Sequence, residues 1–125
     1  MRKEKLNPAA LEDVARIFKA MCESVRLHIL QELQEGEKSV SQLIELIPTS
    51  QPNLSKHLKI LTEANLLDRR QEGNSVYYSI ADSMVYEICD TVCRGIEDRL
   101  SRQLAAYNLK TVPMKNSRQR RGSSL

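Results

Sequence analysis

The chain has 125 residues, enough for one small domain and too few for two independent ones. Hydrophobic residues make up 41%, but Trp is absent and Phe occurs once, so the core must be built from Leu, Ile and Val, and so small a core commonly needs a second subunit. The net charge is only +3, no apolar run approaches the roughly 18 residues that span a bilayer, and "MRKEKLNPAA" lacks the apolar segment of a secretion signal; these exclude a membrane protein and point to the cytoplasm.

Asn7 before Pro8 is a helix start, an N-cap followed by proline at the first helical position, and Leu11, Val14, Phe18 and Met21 recur at helical spacing to near Cys22. A second helix starts with Ser24 as its cap, carries Leu27, Leu30 and Leu33, and stops at Gly36. A third follows with a capping-box pattern, Ser39 with Gln42, and ends before Pro48. Thr49 or Ser50 then caps a fourth, in which Pro52 is tolerable because it lies in the first turn. Two helices joined by so short a turn form a helix-turn-helix.

From Leu67 the period changes to two. "LLDRRQEGNSVYYSIA" reads as a β-hairpin, with turn residues in "EGNS" and strand formers in "VYYSI". The last helix begins at Asp82 or Ser83 and runs to about Tyr107, with Val85, Ile88, Val92, Ile96, Leu100 and Leu104 along one face. That is more apolar stripe than a small body covers, so it is expected to meet the same helix of a second chain. The fold class is therefore mainly α with a small β-hairpin wing, a winged helix-turn-helix that dimerises. Residues 1–112 form the domain. Residues 113–125 carry Lys115, Arg118, Arg120 and Arg121 and no acid, a charge of +4 that leaves −1 for the rest, and read as a disordered basic arm that either contacts nucleic acid or only solubilises.

Within "SQPNLSKHLKIL", Ser50 to Leu61, the leucines at 54, 58 and 61 share one side of a helix, while Asn53, Lys56 and Lys59 lie away from them. Amides such as Gln51 and Asn53 can pair with an adenine edge, and lysines reach guanine or phosphate, as the second helix of a helix-turn-helix does in a major groove. A solvated polar face is the plain alternative. A hairpin bearing Arg69, Arg70 and Asn74 directly after the helix-turn-helix favours double-stranded DNA.

Three linked motifs carry a resemblance. "FKAMCESVRLHILQEL" resembles the "FKALSDPTRLRILELL" opening of the ArsR/SmtB family of small bacterial repressors, "SQPNLSKHLKIL" resembles that family's recognition helix, and "EGNSVYYSI" resembles its wing. The similarity spans roughly residues 9 to 100 in the family's order. It implies a homodimer joined through its first and last helices, which binds a palindromic operator until an effector, often a metal ion, releases it. It also implies DNA contacts from Ser50, Gln51, Asn53, Ser55, Lys56 and His57, with Arg70 and Asn74 on the wing. The alternative for His57 is a surface residue touching phosphate or nothing; His28, between apolar neighbours, reads as structural.

The effector sites known in the family do not all transfer. The stretch "KSVSQL" has no Cys-x-Cys, so the thiolate site before the recognition helix is absent. Where zinc-sensing members place Asp-x-His, His and an acid, this chain has Asp82, Met84, Gly95 and Asp98, and two carboxylates are poor company for zinc. The thiol-switch position in the second helix is Gln31. What remains is Cys22 at the end of the first helix, with Cys89 and Cys93 four apart on the last and so about 40° apart around it. If the first and last helices pack as in the family, three thiolates would make a soft site for As(III), Sb(III) or another thiophilic ion. A redox or sulfur-species switch, or plain packing by small hydrophobic thiols, are the other readings.

An enzyme is the poorest reading, since the chain has no phosphate-cradling glycine loop, no His-Glu-x-x-His and only two histidines, far apart. A winged helix used for protein contacts is the remaining alternative.

Overall fold

A computed structural model describes residues 4–107. The elements are α1 (Pro8–Met21), α2 (Ser24–Leu33), β1 (Lys38–Ser39), α3 (Val40–Leu46), α4 (Gln51–Glu63), β2 (Leu67–Glu72), β3 (Ser75–Ile80) and α5 (Met84–Ala106). Residues up to Ser83 form one compact unit and α5 lies in a second. The basic arm at 113–125 lies outside the described residues.

The helix starts follow from their capping groups. Asn7 Oδ1 accepts from the Ala10 N–H at 2.8 Å, with Pro8 at the first helical position. At α3 the capping box is complete, the Gln42 N–H donating to Ser39 Oγ at 3.1 Å and the Ser39 N–H to Gln42 Oε1 at 2.8 Å. Ser50, not Thr49, caps α4, accepting from the Asn53 N–H at 3.3 Å. At α2 the cap is Glu23 rather than Ser24: its carboxylate takes the Arg26 N–H at 3.0 Å, where negative charge also suits the positive end of the helix dipole.

α4 ends in a Schellman motif built on an asparagine. Asn65 takes the left-handed conformation (φ 63°), so that the Leu66 N–H reaches the Leu61 carbonyl and the Asn65 N–H that of Thr62, both at 3.0 Å. This turns the chain straight into β2. The sheet has the order β1-β3-β2, all antiparallel, with Leu67 opposite Ile80, Arg70 opposite Tyr77, and Ser39 opposite Tyr77 on its other side. Gly73 has φ +60° at the first central position of the two-residue turn, where glycine is needed for the hairpin's twist.

The core of the first unit is aliphatic: Ile29, Leu30 and Leu33 of α2, Leu43, Ile47, then Leu54, Leu58, Leu61 and Leu66 are all fully buried. α4 packs on α2 and β2, which fixes its leucine line inward and leaves its other face free. Two apolar faces remain uncovered. On α1, Leu11, Val14 and Phe18 are exposed; on α5, so are Val92, Ile96 and Leu100. No helix among the described residues is long and apolar enough to cross a membrane.

Candidate nucleic-acid interface

α3, the turn at 47–50 and α4 make the helix-turn-helix. On the outward side of α4, Gln51, Ser55, Lys56 and Lys59 are exposed. Ser50 is exposed too, with its hydroxyl oxygen engaged as the cap. Asn53 is half-buried and donates from Nδ2 to Thr49 Oγ1 at 2.8 Å, a bond that fixes the amide's direction and leaves its Oδ1 as an acceptor. No acidic side chain stands in the first turn.

His57 departs from the expectation of an outward contact. It is only 6% exposed, because it follows Leu54 by three and precedes Leu61 by four, at the margin of the inward leucine line. Its Nδ1 lies 3.3 Å from Arg26 Nη1, and its Nε2 is 3.7 Å from Glu23 Oε2. Arginine can only donate, so this contact requires an unprotonated Nδ1 and places the ring proton on Nε2, facing the carboxylate. Arg26 also donates to the Lys19 carbonyl at 3.4 Å, while its buried Nε has no hydrogen-bond partner among the described residues. The Arg26 N–H donated at the cap, together with the charge of the Arg26 side chain, holds Glu23 below the usual carboxylate range. One polar cluster thus ties the end of α1 and the start of α2 to the middle of α4.

On the wing, Arg70 is held rather than free. Its Nε and Nη2 donate to the two Glu37 oxygens at 3.0 and 2.8 Å, its Nη1 donates to Glu72 at 2.6 Å, and its guanidinium lies 4.6 Å from the Tyr77 ring centre. Those bonds raise the Arg70 pKa above its usual range and lower that of Glu37. Asn74, at the tip, and Arg69 are exposed.

A family model described as "Bacterial regulatory protein, arsR family" matches residues 23–69, which run from the α2 cap through the recognition helix into the wing. An HTH-type transcriptional regulator of Methanocaldococcus jannaschii is 40% identical over 82 residues, 65% of this chain and 92% of that protein. An arsenical resistance operon repressor of Staphylococcus aureus is 34% identical over 77 residues, 62% of this chain and 74% of the relative. The chain belongs to the arsR family. In structure it is similar to a homodimeric winged helix-turn-helix DNA-binding domain from Mycobacterium bovis, at TM-score 0.69 and 30% identity over 82% of this chain and 95% of that one. Members of the arsR family are DNA-binding transcriptional regulators, not enzymes, and the mainly helical winged fold expected from the sequence is the one observed.

For an arsR-family protein the effector side is sparse. Cys22 caps the C-terminus of α1 and is exposed; Cys89 and Cys93 are half-buried on α5. Burial, and then the neighbouring Cys93, push the Cys89 thiol up, so that it is mostly protonated at neutral pH. Among the described residues of one chain, no three or more His, Cys, Asp or Glu side chains gather where a metal ion could be held. His28 sits beside Glu32 at 3.5 Å on α2.

Sequence reasoning missed Glu37, Tyr77, Glu23 and Arg26 as partners of expected DNA-contacting residues. The pairing of Arg70 with Tyr77 was available from the hairpin register. The approach of Glu37 was not, because β1 is two residues long and has no periodic signal.

Proposed function

We propose that the chain is a homodimeric cytoplasmic repressor that binds a palindromic operator and is released by a thiophilic effector. The observation that carries the DNA side is the two-sided α4, with Leu54, Leu58 and Leu61 buried and Gln51, Ser55, Lys56 and Lys59 exposed on a helix held rigidly by its cap and its Schellman turn. Ser50, Gln51, Asn53, Ser55 and Lys56 supply contacts in the major groove, and Asn74 supplies one from the wing tip. The uncovered apolar faces of α1 and α5 are what a second copy covers, a reading supported by the likeness to a homodimeric domain, and two copies place two recognition helices on two half-sites.

As(III), Sb(III) or another thiophilic ion suits Cys22, Cys89 and Cys93 by donor type, and the likeness to an arsenical resistance repressor supports that choice. No single chain gathers three donors among its described residues, so the ligand set is one that an assembled dimer completes. Release requires the ion to favour a form of low DNA affinity by a coupling of about 1–3 kcal/mol, or roughly 5–150-fold.

The test is fluorescence anisotropy of the reduced protein on a labelled duplex from upstream of its own gene, with and without As(III). Binding that weakens steeply with salt and is reversed by As(III) is expected, and the Cys22→Ser, Cys89→Ser or Cys93→Ser changes should abolish the reversal. Binding that only oxidants or sulfur species reverse assigns the cysteines to a redox switch. Absence of salt-dependent DNA binding would return the exposed face of α4 to protein recognition.

A further inference from the structure

We propose that the two adjacent wing arginines divide the work: Arg69 is the cation that meets the DNA backbone, and Arg70 is a positioning residue that clamps the hairpin to the strand leading into the helix-turn-helix. The proposal rests on the DNA-binding reading above and assigns roles within it.

The Arg70 side chain leaves β2, crosses the ring of its cross-strand partner Tyr77 on β3, and reaches Glu37 just before β1. It therefore spans all three strands. Both Glu37 oxygens are engaged in the fork geometry that an arginine makes with a carboxylate, and Glu72 takes a third N–H. To reach a phosphate, Arg70 would have to release two carboxylates and leave them bare beside a polyanion. Its charge is already balanced by protein, so such a contact would release little counterion, and counterion release is the main source of affinity for the backbone.

Arg69 differs in its pairing. Exposed like Arg70, it has no ion pair among the described residues. Side chains alternate along a strand, so Arg69 projects opposite to Arg70, on the face shared with buried Leu67 and with its own cross-strand partner, buried Tyr78. That face packs on the helices, with β2 against α4 and β3 against α2. Two residues nearer the tip than Leu67, Arg69 stands at the margin of the buried part, its own side chain exposed, on the face of the hairpin that packs on the helices. A cation there is free to replace condensed counterions at a phosphate when α4 enters the groove.

The experiment is a salt series of anisotropy titrations of the full chain, reduced, on the upstream duplex, with circular dichroism confirming that each variant is folded. Arg69→Gln should flatten the dependence of log affinity on log salt by about 0.9 for each phosphate that the wing no longer neutralises. Arg70→Gln should weaken binding several-fold at every salt concentration while leaving that slope unchanged. Exchanging the pair, Glu37→Arg with Arg70→Glu, should restore affinity towards wild type, which an Arg70 that touched DNA would forbid.

A flatter slope in Arg70→Gln, or a swapped pair that binds worse than Arg70→Gln, would overturn the proposal. So would an unchanged slope in Arg69→Gln, with wild-type binding still showing that α4 engages DNA without help from Arg69. Wild-type protein that binds no duplex would overturn the DNA reading and this division of roles with it.

Discussion

Leu58→Ala separates what holds the recognition helix from what the helix reads. Leu58 is buried with Leu54 and Leu61 in the face of α4 that packs on α2. Truncating a fully buried leucine costs the transfer free energy of the deleted methyl groups and a penalty for the cavity left behind, together about 2–5 kcal/mol. Small domains have on the order of 5–15 kcal/mol in all, so this one change should remove a large share of the stability and lower Tm by on the order of 10–20 °C. Lys59, the next residue, is exposed, and Lys59→Ala should shift stability by no more than about 0.5 kcal/mol while weakening DNA binding. The assay is urea unfolding followed by far-ultraviolet circular dichroism, at one protein concentration for all variants because a dimer's stability depends on it. A midpoint shift with unchanged slope is expected for Leu58→Ala. A cost below about 1 kcal/mol, or an equal cost for Lys59→Ala, would show that the inward and outward faces of α4 have been assigned wrongly.

Ser50→Ala removes the N-cap of α4 and should cost about 1 kcal/mol in the same assay, with a larger effect on DNA affinity than its size suggests because the first turn of the recognition helix frays. Acid should destabilise the fold through Glu23 and Glu37. The folded pKa of each lies below its unfolded value, chiefly through the Arg26 N–H for Glu23 and the Arg70 side chain for Glu37, so their contribution is present above the unfolded glutamate range and is lost as pH falls through the folded values. Urea midpoints measured across the acid range should fall less steeply in Glu23→Gln and Glu37→Gln than in wild type. The Cys89 thiol, pushed up by burial and then by Cys93, should be alkylated by iodoacetamide at neutral pH more slowly than exposed Cys22, as followed by mass spectrometry of peptides; equal rates would contradict the burial seen on α5.

The winged helix-turn-helix was legible because its signals are local. Asn7-Pro8, the Ser39/Gln42 box and the leucine spacing of α4 each specify a helix and its boundary with residues close in sequence, and the structure has them where expected. The helical wheel was less informative for His57. A wheel sorts residues by angle but does not say how wide the buried sector is, and here the packing on α2 widens it past the leucines to include the imidazole. For Arg70 the sequence hid something else, its carboxylate partners. A basic residue on a wing looks available to phosphate until the acids around it are placed, and Glu37 lies 33 positions away in sequence. Local pattern gives the polarity of a face; only tertiary pairing tells which of its charges are already neutralised.

That distinction bears on the dimer. Ile96 is 57% exposed in the single chain and stands on α5 between Val92 and Leu100, both exposed as well. A substitution there leaves the packing of the monomer nearly untouched, which makes it a clean probe of assembly. Full burial of an isoleucine contributes about 1.5–3 kcal/mol, and twofold symmetry counts each position twice, so Ile96→Glu should weaken the dimer by about 3–6 kcal/mol, or roughly 10²–10⁴-fold, before any cost of burying the carboxylate. Sedimentation equilibrium should find a monomer at concentrations where wild type is dimeric, with urea stability extrapolated to the monomer unchanged. Operator affinity should drop in parallel, because a single chain engages one half-site at a time. If Ile96→Glu sediments as a dimer as tight as wild type, the apolar stripe of α5 is not the surface that joins two chains, and the exposed face of α1, with Leu11, Val14 and Phe18, would have to provide the interface alone.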